Sequence, residues 1–246
     1  MRDFLEVGVV KGLFRHPVKS MRSESLAEAH LYWHGLDGDR RYAFVQSENR
    51  SGFPWLTARE LPQLVRYIPR FERPSDPVHS PIQVTTPDGR VLPLASDELR
   101  QEVATAFGRP VHLMKLGRGA YDSQVVSLIS QATLDQVTEM VGRSLTATRF
   151  RQNILIETYS GYPFAEEEWL DGMLTFGDSH SGPRLRLNRP IQRCVMVNVD
   201  PETAEKEPRI LRAIALERDN RLGLYGSPER PGPIRVGDLV RLSVKV

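Results

Sequence analysis

Apolar and polar residues alternate along most of this chain. The runs VGVVKGLF (7–14), RYAFVQ (41–46), VRYIPRF (65–71), IQVTT (82–86) and VHLMKL (111–116) put every second side chain on one face. The same holds for NILIET (153–158), RLRLN (184–188), RCVMVNV (193–199) and GDLVRLSVKV (237–246). A period of two predicts strands half-buried against a core. TTPDGRVLPL reads as a hairpin, with Pro87, Asp88 and Gly89 supplying the turn.

Helical spacing is rarer. Residues 96–107 carry Leu99, Val103 and Ala106 on one face, with Ser96 as a candidate cap and Gly108 as a stop. Thr133 with Gln136 suggests a capping box for a helix running to about Val141. Thr57 with Glu60 suggests another for a short turn met by Pro62, and a last helix is expected over 208–216 with Ile210, Leu211 and Ile214 inward. Many short strands and few helices predict a mainly β (α+β) protein packed as barrels or a sandwich. The stretch GRGAYDSQ (117–124) is the natural place for a boundary, giving a first unit over 1–116 and a second over 117–246.

Composition narrows the function classes. Of 246 residues, 33 are Lys or Arg and 31 Asp or Glu, a net charge of +2 that gives no general affinity for nucleic acid. Any basic function must be local. One cysteine excludes a disulfide framework and points to a reducing compartment. The N-terminus does not read as a secretory signal, and no apolar run is long enough to span a bilayer, so the expectation is a cytoplasmic protein. His16, His30, His34, His79, His112 and His180 show no paired zinc spacing, and no P-loop, G-x-S-x-G or dinucleotide fingerprint occurs. GDSHSG (177–182) reads as a turn.

The candidate chemistry lies in scattered short stretches. If 193–199 is a strand, Val195, Val197 and Val199 face the core while Cys194, Met196 and Asn198 face away. Cys194 then reads either as an accessible thiol or, like most cysteines, as a small buried hydrophobe. In RFRQN (149–153), alternation puts Arg149, Arg151 and Asn153 in line, which suits an anion or, equally, a solvated strand face. Lys19 and Ser20, just after Pro17, could hold a phosphate or form an ordinary basic loop. Arg40 falls on the face of Tyr42 and Phe44, and Thr57 and Arg59 follow in WLTARE.

Taken in order, HPVKS (16–20), GLDGDRRYAFV (35–45), LTARELPQL (56–64), DSQVVSLISQATL (122–134), RFRQNILIE (149–157), FAEEEW (164–169), RCVMVNVDPET (193–203) and GPIRVGDLV (232–240) resemble the MOSC proteins. These carry a molybdenum-cofactor-sulfurase C-terminal domain after an N-terminal β-barrel partner, and the nearest branch is that of the amidoxime-reducing components. The resemblance implies a β-barrel MOSC domain, a smaller barrel-like N-terminal domain and a few short helices. It implies a molybdenum cofactor (Mo-molybdopterin) with Cys194 as metal ligand and catalytic residue. Lys19 and Ser20 would hold the phosphate end, with Arg40, Asp122, Ser123, Arg151 and Asn153 also binding cofactor. It further implies reduction of small N-oxygenated substrates such as N-hydroxylated bases and amidoximes. Electrons would come from a separate flavin, haem or iron–sulfur protein, because this chain has no cysteines for a ferredoxin domain. A monomer without membrane or nucleic-acid partners is expected. Gln192 stands where this branch often has serine, and Gln152 where it often has proline. Two rivals remain open at this point. One is a sulfur carrier using a Cys194 persulfide; the other is a non-catalytic anion- or partner-binding β module.

Overall fold

The computed structural model describes residues 4–243. The last three residues of the strand expected over 237–246 lie outside the described residues. In chain order the strands are β1 (Leu5–Arg15), β2 (Glu24–Leu26), β3 (Glu28–Tyr32), β4 (Gly35–Leu36), β5 (Tyr42–Gln46), β6 (Ile68–Phe71), β7 (Ile82–Thr85), β8 (Val91–Pro93), β9 (Val111–Lys115), β10 (Val126–Ser130), β11 (Ile154–Thr158), β12 (Met173–Phe176), β13 (Arg184–Gln192), β14 (Arg221–Arg230), β15 (Gly232–Arg235) and β16 (Leu239–Ser243). Three helices join them: α1 (Asp97–Phe107), α2 (Gln131–Val141) and α3 (Pro208–Arg218).

Seven strands close into a barrel in the order β1-β11-β10-β14-β13-β12-β16, with β16 pairing back to β1. Closure pairs each of these seven strands on both sides, and β2 adds to the far end of β1. All pairs are antiparallel except β10 with β11. Val10, Leu13, Leu128, Ile154, Leu174, Phe176, Leu185 and Leu224 fill its interior and are almost fully buried. Each such side chain contributes roughly 1.5–3 kcal/mol by leaving water. The stave β1 comes from the first half of the chain and crosses β11 closely at Gly8, where a Cβ would lie 2.1 Å from the Glu157 carbonyl oxygen. Only glycine permits that approach.

β3 and β4 add Ala29, Leu31 and Leu36 to the barrel's core, and most of the remaining first half forms a second core of Phe44, Leu56, Leu64, Phe71, Val84, Leu99 and Val103, under the β6-β7-β8 sheet, the β5-β9 pair and α1. The expected β7–β8 hairpin is present, with Gly89 at φ +90°. The α1 helix starts and stops as its sequence predicts: Ser96 Oγ accepts from the Leu99 amide, and Gly108 ends it in the left-handed region. A third cluster holds α2 and α3 against the outside of the barrel through Leu134, Val137, Ile210 and Ile214. The cap of α2 differs from expectation. Ser130, not Thr133, accepts the first-turn amide, and Thr133 is drawn inward to donate to buried Glu166 at 2.9 Å. No helix among the described residues is long and apolar enough to cross a membrane.

Candidate functional site

A cleft opens where one end of the barrel meets the second core. With its mouth it encloses about 820 Å³ of empty space. Much of its lining comes from the segments that follow β1 and β13 and precede β5 and β11, where the backbone leaves the ladder, while Ser127 and Tyr225 enter from within β10 and β14.

β13 stops at Gln192, and Cys194 is extended, with φ −121° and ψ −179°. One 3-10 turn, Val195–Asn198, follows, closed by the Val197 amide donating to the Cys194 carbonyl. The expected strand over 193–199 is therefore absent. Val197 and Val199 are buried as the pattern predicts, but Val195 is 47% exposed. Asn198, expected to face outward, is buried and accepts from the Leu211 amide at 2.9 Å. Tertiary hydrogen bonds decide this segment over its β propensity: the Arg149 guanidinium donates to the Val197 and Asn198 carbonyls and pairs with Asp200. The turn leaves Cys194 half-buried on the cleft wall.

The loop after β1 supplies Lys19 and Ser20, both buried. The Lys19 amide donates to the Tyr42 carbonyl. Its ammonium donates to the Ala120 carbonyl at 2.7 Å and to Asp122 Oδ1 at 2.5 Å. Ser20 sits in the left-handed region at φ +67°, which bends the chain around the cleft. Burial lowers the Lys19 pKa even though Asp122 opposes it.

Arg40 precedes β5, itself left-handed at φ +50°. It is gripped from behind. Its guanidinium pairs with Asp39, donates to the Arg151 carbonyl at 2.9 Å and reaches Asn153 Oδ1 at 3.4 Å. Asp39 is fully buried and also accepts from the His16 amide at 2.7 Å and faces His16 Nδ1 at 3.3 Å. Burial alone would raise the Asp39 carboxyl, but the Arg40 charge and the His16 hydrogen bonds win and hold it well below the usual carboxylate range.

Residues 149–153 are not the alternating strand their pattern suggests. A 3-10 turn over Ala147–Phe150 and a left-handed Arg151 precede β11. The departure does not scatter the three polar groups, for all of them line the cleft. Arg151 Nη1 donates to the Met21 carbonyl at 2.9 Å. Asn153 is locked between Ser127, Arg40 and the Phe14 carbonyl.

Six cations line this cleft, namely Lys19, Arg40, Arg59, Arg149, Arg151 and Arg193, against one lining carboxylate, Asp122. Asp39 and Asp200 lie behind Arg40 and Arg149 as counter-charges. Three guanidinium nitrogens in this wall, Arg149 Nε, Arg151 Nη2 and Arg193 Nη2, are buried without a hydrogen-bond partner among the described residues. Burial, followed for Arg151 by the like charge of Arg40, depresses the Arg151 and Arg193 pKa values. Unpaired buried donors are costly, about 1–3 kcal/mol each and more when charged. An anion seated here would relieve that cost. The donor set thus fits a phosphate-bearing group beside a soft thiol ligand. Among the described residues no three His, Cys, Asp or Glu side chains gather to hold a metal by themselves.

The structure therefore brings Cys194, Lys19, Ser20, Arg40, Asp122, Arg151 and Asn153 to one cleft. Ser123 stands outside it, on an outer vestibule, where its Oγ accepts from Arg189 at 3.0 Å. Arg193 and Tyr225 line the cleft without having been singled out as binding residues. A strand at 193–199 would aim Arg193 away from Cys194. The end of β13 at Gln192 removes that argument, and Arg193 instead donates to the Leu222 and Phe150 carbonyls. Tyr225 is hidden in sequence because β14, broken by Gly223, Gly226 and Pro228, does not read as a strand.

Fold and site together define a barrel protein with an anion-seeking cleft around a single thiol. Residues 105–241 match the family model described as MOSC domain, and residues 7–124 the one described as MOSC N-terminal beta barrel domain. The chain belongs to the MOSC family. It is 28% identical to mitochondrial amidoxime-reducing component 1 of Homo sapiens over 290 residues, covering 96% of this chain and 83% of that protein. It is 32% identical to the Mus musculus protein of the same name over 134 residues, 49% of this chain but only 37% of that one. A molybdenum cofactor sulfurase from Drosophila grimshawi is 34% identical over 118 residues, 44% of this chain and 14% of the sulfurase. The YUAD protein of Bacillus subtilis shares the fold over the whole of both chains, with a TM-score of 0.55 at 12% identity.

Proposed function

We propose that the protein is a molybdenum-cofactor-dependent reductase of N-oxygenated compounds, with the Cys194 thiolate as metal ligand. The observation that carries this reading is the convergence of Cys194 with unpartnered guanidinium nitrogens of Arg151 and Arg193 in one cleft. Relatives named amidoxime-reducing component and molybdenum cofactor sulfurase support it from the sequence side. When bound, the cofactor would supply oxygen-atom transfer, so that an N–OH group plus two electrons and two protons becomes N–H and water.

The chain's own residues bind and orient. Lys19, Arg40 and Arg151 would neutralise the phosphate, whose oxygens match guanidinium and ammonium donors, and Ser20 would add a neutral hydroxyl donor. Asn153, held by three partners, fixes one amide edge. Asp39 and His16 keep Arg40 aimed at the cleft. Ser123 joins the binding set through the vestibule. Electrons would come from a separate donor protein.

The test is molybdenum and pterin analysis of protein from a molybdenum-replete host, together with turnover of an amidoxime. About one molybdenum and one pterin per chain, with turnover abolished by Cys194→Ser in a folded protein, is the expected result. Metal-free protein carrying labile sulfur on Cys194 would replace this reading with a persulfide carrier.

A further inference from the structure

The cleft does not end at Cys194. Cys194, Arg59, Asp122 and Tyr225 line both it and an outer vestibule that opens to solvent. Two features of this vestibule define a ligand. The first is an apolar wall of Phe53, which is 36% exposed, and Pro190. The second is uncompensated positive charge. Of the vestibule's carboxylates, Asp122 is taken by Lys19 and Asp219 by Arg221. Arg189 is exposed and donates only to the neutral Ser123 hydroxyl, at 3.0 Å. Arg59 reaches only the Thr57 hydroxyl at 3.3 Å and lies over the Phe53 ring at 5.0 Å. Among the described residues neither arginine has a carboxylate at ion-pair distance.

Resting on the reductase reading, we propose that this vestibule selects N-oxygenated substrates that carry a negative charge remote from the N–O group. The flat apolar body of the substrate lies against Phe53 and Pro190. Its N–O end points to Cys194, and its anion meets Arg189, with Arg59 adding to the field. Guanidinium–carboxylate hydrogen bonds are stronger than neutral ones, and a concave wall carrying one sign of charge concentrates the opposite sign.

The experiment compares benzamidoxime with its para-carboxylate analogue on the holoenzyme, using a small chemical reductant so that no donor protein takes part. The expected result is a kcat/KM up to about 5-fold higher for the carboxylate, carried by KM, since an ion pair with an exposed arginine is worth up to about 1 kcal/mol. Arg189→Gln should bring the ratio of the two substrates toward one. A wild-type ratio of one or less, or a ratio unmoved by Arg189→Gln, overturns the proposal. A role for these arginines only in docking an acidic donor protein would give that second outcome. Calorimetric binding of the products, 4-amidinobenzoate against benzamidine, reads the same preference without turnover. If neither amidoxime is reduced yet 4-amidinobenzoate binds more tightly in an Arg189-dependent way, the reductase reading fails and the vestibule's selectivity stands. Equal binding of the two products overturns the selectivity.

Discussion

Moving the protein from pH 7.5 to pH 5.0 is expected to remove about 2 kcal/mol of stability through His16 alone. His16 is fully buried, its Nε2 has no partner among the described residues, and its ring packs beside Asp39. Burial, then the charges of Arg40 and Arg151, pull its pKa from 6.5 down to about 3. Below pH 6.5 the unfolded chain takes up a proton at this site and the folded chain does not. Stability is therefore complete above about pH 7 and falls as pH drops, by at most about 1.36 kcal/mol per pH unit. Over this interval the loss is about 2 kcal/mol, and it is insensitive to the folded value, because pH 5.0 lies above it. Asp39 stays ionised throughout, since its own pKa is depressed. The assay is urea unfolding at both pH values for wild type and His16→Asn, whose amide keeps a donor toward Asp39. Wild type should lose about 2 kcal/mol more than the variant. Equal losses would refute a neutral, buried His16 and with it the fixed His16–Asp39–Arg40 support beneath the cleft.

Two further substitutions separate stability from cofactor retention. Arg149→Met should destabilise the protein by about 2–3 kcal/mol in urea unfolding, because the Val197 and Asn198 carbonyls and Asp200 lose a charged donor and the Cys194 turn loses its anchor. Arg151→Met should do the reverse in cofactor-free protein. It removes a buried, unpartnered guanidinium nitrogen at the expense of one bond to the Met21 carbonyl, so the thermal midpoint holds or rises while pterin content falls.

Much of this architecture is legible in the sequence because local signals and tertiary demands agree there. Ser96 and Gly108 bracket α1 as written, and Pro208, Ile210 and Ile214 mark α3. Where they disagree, local patterning fails. The valine alternation after Cys194 yields to Arg149, which gathers two carbonyls into a turn. Thr133 looks like a cap but serves Glu166 from inside the helix. β14 is masked by the glycines and proline that let it bulge and bend around the barrel. The cleft itself is a product of closure. Cys194 and Lys19 are 175 residues apart, and no periodicity predicts that they share a wall. What points to them is the ordered set of short motifs resembling one family; Lys19 falls in the match over 7–124 and Cys194 in the match over 105–241. Arg193 marks the remaining gap: strand alternation would turn it away from Cys194, but β13 ends at Gln192 and Arg193 lines the cleft beside the cysteine.

The central claim is that the Cys194 sulfur binds the metal. Molybdenum K-edge X-ray absorption on cofactor-loaded wild type and Cys194→Ser tests it most directly. The account predicts one sulfur fewer around molybdenum in the variant. Identical sulfur shells in the two proteins would contradict it.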